Sequence, residues 1–121
     1  MVRGSGQKAR LAEGWIMEGR DARGGPVRLR FAENELAEAD LGLTVGRHSE
    51  VCHRVIDDPS VSRRHFRVLL RNGQLCVEDL NSLNGTLVGE RLLAPFEAQA
   101  VAPGQSVVLG QVALGIRELD E

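Results

Sequence analysis

Apolar and polar positions alternate in short blocks along most of the chain. Val27-Arg28-Leu29-Arg30-Phe31 switches between apolar and basic residues with a period of two, the pattern of a strand with one buried face. Between His65 and Leu70 the same period sets Phe66, Val68 and Leu70 on one face. Asn72-Gly73 follows, a favoured two-residue hairpin turn, and Leu75-Cys76-Val77-Glu78-Asp79 returns. Further strands are predicted at Trp15-Ile16-Met17, Leu43-Thr44-Val45, Thr86-Leu87-Val88, Ser106 to Leu109 and Val112 to Ile116. Gly24-Gly25-Pro26, Gly89-Glu90, Pro103-Gly104 and Gly110 interrupt them, and Asn84-Gly85 is a second Asn-Gly step that reads as a turn. Residues 32–41 (AENELAEADL) suit a helix by composition but are short and lack a persuasive cap, so they are read as a loop with at most one helical turn. Short strands with turn signals about every eight to twelve residues predict an all-β sandwich or barrel. No repeat and no βαβ alternation is visible.

Composition narrows the class. The 121 residues fit one domain, expected over residues 14–120 behind a flexible N-terminal arm at 1–13. At 42% hydrophobic the chain can bury a core, built mainly from Val, Leu and Ile because it has one Trp, three Phe and no Tyr. Fifteen basic residues against 17 acidic ones leave a net charge of -2, which argues against a general nucleic-acid binder while allowing a local basic patch. No apolar run reaches the roughly 20 residues of a membrane span and no signal-peptide core is present, so a soluble cytoplasmic protein is expected. Cys52 and Cys76 lack a metal-ligand rhythm and are read as reduced thiols, with a disulfide left open.

Polar residues gather between the strands. Gly46-Arg47 ends one strand, Ser62-Arg63-Arg64-His65 enters the next after Asp57-Asp58-Pro59, and Asn81-Ser82-Leu83-Asn84-Gly85-Thr86 forms a third loop. The guanidinium of Arg47 offers a rigid fork of donors for two phosphate oxygens, and the Ser62 hydroxyl with free backbone N–H groups can complete a cradle. His65 begins a strand without a nucleophile arranged against it, so it is read as a buried imidazole that stiffens loops, not as a catalytic base. His48, Cys52 and His53 lack a fourth ligand and recognised spacing, so no metal and no cofactor is assigned. The carboxylates of Asp57-Asp58 are available to loop N–H groups. Nothing in the sequence marks an enzyme.

These three blocks, in this order and spacing, resemble the signature of the forkhead-associated (FHA) domain family, and the strand pattern extends the likeness from about Trp15 to Leu119. The resemblance implies a sandwich of about eleven mostly antiparallel strands whose apical loops bind phosphothreonine peptides. Position by position, Arg47 and Ser62 are similar to the phosphate-binding pair, with Arg63 in a neighbouring slot that also reaches phosphate or peptide. Asn84 matches the asparagine that bonds the peptide backbone. Gly46, His65 and Gly85 match the loop scaffold. Leu83 stands where a small polar residue is frequent and His53 where an aspartate is usual, and both are candidates for altered selectivity. The implied partner is a phosphothreonine-bearing protein, substrate of a Ser/Thr kinase, bound by a monomeric signalling module. A phosphate-independent assembly module on the same sandwich is the alternative. An Arg/Ala/Gly-rich makeup hints at a bacterial source.

Overall fold

The computed structural model describes residues 13–119. The arm expected over residues 1–13 therefore lies, apart from Glu13, outside the described residues, as does residue 120 at the far end of the expected domain. Eleven strands are present among the described residues: β1 (Gly14–Arg20), β2 (Pro26–Ala32), β3 (Leu43–Gly46), β4 (Arg54–Val55), β5 (Phe66–Arg71), β6 (Gln74–Asp79), β7 (Thr86–Val88), β8 (Arg91–Leu92), β9 (Ala98–Ala100), β10 (Ser106–Leu109) and β11 (Val112–Glu118). They form a five-stranded sheet in the order β9-β6-β5-β3-β4 and a six-stranded sheet in the order β2-β1-β11-β10-β7-β8. Every pairing is antiparallel except β3 with β4, which run parallel with Val45 opposite Arg54.

Alternation does in three dimensions what it announces in one. From the six-stranded sheet Leu29, Phe31, Leu114 and Ile116 are buried while Arg28, Arg30, Ala113 and Gly115 are exposed. From the five-stranded sheet Val45, Phe66, Val68 and Val77 are fully enclosed in the same apolar cluster. Burial of this area is the main favourable term holding the sheets face to face. The β5–β6 hairpin closes through Asn72 (φ 52°) and Gly73 (φ 77°), the two successive positive φ values that a type I′ turn demands.

One expectation changes. Residues 33–38 form a six-residue helix, α1 (Glu33–Glu38), where a loop with at most one helical turn was expected. Its N-cap, Ala32, supplies no side-chain bond, so tertiary contacts hold it: Leu36 is buried, and Glu35 pairs with Arg54, whose guanidinium also lies 5.2 Å from the Phe31 ring centre. The Asn84-Gly85 turn lies in a segment that crosses between the sheets, because β6 and β7 belong to different ones.

Candidate functional site

The ends of β3 and β6 and the approach to β5 bring the three polar loops to one end of the sandwich. Gly46 leaves no choice of residue: a Cβ there would sit 2.2 Å from the Arg63 carbonyl oxygen and 2.9 Å from Arg64 Cα, both backbone atoms. The close approach lets Arg47 N–H donate to the Ser62 carbonyl (2.9 Å) and His48 N–H to the Arg63 carbonyl (3.2 Å). The Arg47 and Ser62 loops are thereby fixed to each other through their backbones.

Three successive carbonyls then aim the side chains of the site. Ser60 O accepts from Asn84 Nδ2 at 2.9 Å, Val61 O accepts from Arg47 Nε at 2.9 Å, and Ser62 O accepts the Arg47 amide. With Nε–H spent inward, the two terminal amino groups of the exposed Arg47 guanidinium remain for a ligand. The Ser62 hydroxyl oxygen accepts from Leu83 N–H at 3.0 Å, which leaves its own O–H to donate. Arg47, Ser62, Arg63, Ser60, Leu83 and Asn84, with Pro59 and Val61, enclose a cleft of about 170 Å³. Among the described residues two arginines and no carboxylate line it, and no acidic side chain pairs with Arg47 or Arg63. A larger hollow of about 460 Å³ lies beside Glu13, Arg30, Glu33 and Asn34, but two carboxylates make it hostile to an anion.

Behind the cleft sits a set of buried polar groups. His65, with no exposed surface, accepts from Ser62 N–H at Nδ1 (3.0 Å), so its Nε2 carries the proton and donates to the Gly85 carbonyl (2.8 Å). Asp79 accepts from the Ser82 amide and hydroxyl and from the Thr86 hydroxyl, which folds the 80–86 loop around one carboxylate. Asp58 accepts from the Ser60 amide (2.8 Å), the Ser60 hydroxyl (2.6 Å) and the Ala22 amide (3.1 Å), and Gln111 N–H donates to the Ser60 hydroxyl (2.8 Å). Loop 58–62 is thus tied to the β1–β2 and β10–β11 turns of the opposite sheet. Of these groups, the sequence pointed to His65 and loosely to the Asp58 carboxylate; Ser82 and Thr86 stood inside the third loop, and Asp79 at the end of a predicted strand, without an assigned task.

His53, a candidate for altered selectivity, is engaged with the backbone at the edge of the five-stranded sheet. Its Nδ1 accepts from Thr44 N–H and its own amide donates to Thr44 O, both at 2.9 Å, so it sets the start of the parallel β3–β4 pair and does not line the cleft. His48 Nδ1 accepts from the Glu50 amide and Cys52 Sγ donates to the Arg63 carbonyl, so each of these ligand-type side chains has a separate local partner. Burial pushes the Cys52 thiol up, and Cys52 and Cys76 are separate free thiols.

Burial also pushes the His65 imidazole below its ordinary value of 6.5, with the Gly85 carbonyl and the Asp79 charge opposing the shift. Between that depressed value and 6.5 the unfolded chain takes up a proton that the folded domain refuses, so stability present above pH 6.5 is lost as pH falls through this window. A urea midpoint lower at pH 5.5 than at pH 7.5 is the expected result; equal midpoints would mean that imidazolium fits between Ser62 and Gly85.

The family model described as the FHA domain matches residues 43–110, more than half of the chain. The chain belongs to the FHA domain family. The oxoglutarate dehydrogenase inhibitor of Corynebacterium glutamicum is 38% identical over 71 residues, covering 59% of this chain and 47% of that protein. This FHA domain therefore spans about half the length of the curated relatives that it matches. A solved FHA domain of an Arabidopsis thaliana protein superposes with a TM-score of 0.74 at 23% identity, covering 98% of this chain and 96% of the other, and so shares its fold. Another, solved in work on phosphothreonine-dependent FHA domain interactions, has a TM-score of 0.62 at 26% identity, over 89% of this chain and 99% of the other. Among the described residues no helix is long and apolar enough to cross a membrane.

Proposed function

We propose that this FHA domain is a signalling module that docks phosphothreonine-bearing segments of partner proteins, with Arg47 and Ser62 as the phosphate-holding pair. One observation carries the reading: the carbonyls of residues 60–62 consume the inward-facing donors of Arg47 and Asn84, which turns the remaining donors into a cleft without a carboxylate. A phosphothreonine dianion brings up to about two negative charges and three acceptor oxygens to such a place. The two free amino groups of the Arg47 guanidinium take two oxygens as a fork, the Ser62 O–H takes another, and Arg63 adds a second positive charge at the rim. Asn84 keeps its Oδ1 and its second N–H for the peptide backbone beside the phosphoresidue. Gly46, His65 and Gly85 hold the loops, and Leu83, 90% exposed, faces what flanks the phosphothreonine.

In this reading the domain binds and does not catalyse, the mark is written by a Ser/Thr kinase, and the module works as a cytoplasmic monomer without a nucleic acid or cofactor. Similarity to a protein named as an enzyme inhibitor fits a regulatory use of such docking. Isothermal titration with three peptides differing only in phosphothreonine, phosphoserine or threonine tests it. Phosphothreonine is expected to bind best and threonine at least about a hundredfold more weakly, the scale of losing the charge-assisted bonds. Equal affinity for all three would overturn the reading and favour a phosphate-independent assembly module.

A further inference from the structure

We propose that the outward face of the six-stranded sheet is a second docking surface, and that it takes an acidic, partly apolar segment of a partner protein without any phosphate. The inference goes beyond the cleft reading and does not depend on it. The outward side of an antiparallel sheet is ordinarily polar. β1 and β2 keep to that rule, with Arg20, Arg28 and Arg30 exposed on this side. The other end of the sheet breaks it. Leu92 stands opposite Leu87, Leu87 opposite Val108, and Val108 opposite Ala113, so four apolar residues form one row across β8, β7, β10 and β11. Their chain neighbours Thr86, Val88, Val107, Leu109, Val112 and Leu114 are all buried inward, which puts the row outward. Leu92 is 64% exposed and Ala113 is exposed, while Leu87 and Val108 are half-buried. Single exposed apolar residues need no explanation, but four in register are a patch. The helix α1 does not cover them, because its buried Leu36 points into the core between the sheets.

Charge selects the occupant. The row continues through the Ala113–Arg20 pair into the basic end of the face. There Arg20, Arg28, Arg30 and Arg117 share one side with Glu18, the single acid at the outward positions of this sheet. Both Arg28 (3.7 Å) and Arg117 (2.6 Å) reach that one carboxylate. The chain as a whole carries a net charge of -2, so the excess of arginine is local. An apolar row ending in unbalanced guanidinium groups fits a segment that offers apolar side chains and carboxylates together. A second copy of the chain fits worse. Strands about 4.8 Å apart, with outward residues about 6.7 Å apart along each, give a face of roughly 500 Å². Each copy in a stable dimer buries about 800 Å², and the same face of another copy returns arginine to arginine. A bilayer also fits worse, since half-buried Leu87 and Val108 cannot reach in among acyl chains.

A random library of unphosphorylated peptides, selected on the wild-type chain at low salt, tests this. Selected peptides are expected to combine Asp or Glu with Leu, Ile, Val or Phe, and to bind Arg47→Ala as well as the wild type. Leu87→Thr with Leu92→Thr, a pair that keeps strand-forming residues, should weaken a selected peptide about tenfold. Arg28→Gln with Arg117→Gln should weaken it about fivefold, and added salt should do the same to the wild type. Both double variants should bind a phosphothreonine peptide as the wild type does, which shows that they fold. Amide NMR shifts in the wild type, with no substitution at all, should centre on residues 87, 92, 108 and 113 and spare 47 and 62. Absence of any enrichment, peptides without acids, binding that survives both double substitutions, or shifts centred on the cleft would each overturn the proposal. So would binding to phosphatidylglycerol vesicles in place of selected peptides. Failure of the wild type to prefer phosphothreonine over threonine would sink the cleft reading alone.

Discussion

Replacing Arg47 by alanine will cut affinity for a phosphothreonine peptide by about 30- to 150-fold, or about 2–3 kcal/mol, while leaving the melting temperature nearly unchanged. The two halves of this expectation come from different atoms of one side chain. The terminal amino groups are exposed and have no acidic partner among the described residues, so their value is realised only when a dianion arrives. The Nε–H bond to the Val61 carbonyl is the part that serves the fold, and it is a single hydrogen bond at an exposed residue. Substitutions of that kind usually stay within about 0.5 kcal/mol of neutral. Arg47→Lys separates charge from geometry: it keeps the positive charge but gives up the fork and the Val61 anchor, so it should recover only part of the lost affinity. Titration of both variants alongside thermal melts checks the pair of claims. A variant that binds normally would remove Arg47 from the site. A melting temperature that collapses would make it a loop strut.

The same cleft shows what was legible in the amino-acid order. Side chains with a fixed chemistry at a fixed spacing could be read: Arg47, Ser62 and Asn84 do share the cleft, and His65 is the buried loop-to-loop imidazole that the strand start suggested. Long alternating strands and the Asn72-Gly73 hairpin were equally plain, since a period of two and two positive φ values are local properties. The short strands Arg54–Val55, Arg91–Leu92 and Ala98–Ala100 were not legible, because two or three residues carry no period and are defined by the partner strand. For the same reason the Asn84-Gly85 step could not reveal that it joins two sheets. His53 stands outside the lining of the cleft, and its ring does the work of a backbone acceptor for Thr44, a task that its residue type does not announce. The carbonyls of residues 60–62 were invisible for a deeper reason. Every residue has a carbonyl, so its assignment to Arg47 or Asn84 is written only in the closed fold.

That dependence on backbone position makes Asp58 the second large lever, although it lines no part of the cleft. Its carboxylate is buried and accepts three donors, two from Ser60 and one from Ala22, and its own carbonyl accepts from Val61 N–H at 3.0 Å. It therefore sets the turn from which the carbonyls of residues 60, 61 and 62 hold Asn84 and Arg47. In Asp58→Asn the amide oxygen can keep Ser60, but the amide nitrogen faces the Ala22 N–H, donor against donor. Leaving that buried amide unsatisfied and weakening the charged bonds to Ser60 should cost about 2–4 kcal/mol of stability, roughly 10–15 °C in melting temperature for a domain of this size. Affinity for a phosphothreonine peptide, measured well below the new melting point, should fall about tenfold as the carbonyls lose their register. The bonds from Ser60, then Ala22, hold the Asp58 carboxyl below its ordinary value of 3.8. Its contribution is therefore present above pH 3.8 and disappears as pH falls through the lower folded value, so the stability gap between wild type and Asp58→Asn should narrow in that acid range. A gap of constant size would mean that the charge on Asp58 is irrelevant, and undiminished affinity at the lower stability would mean that loop 58–62 keeps its shape without the strap.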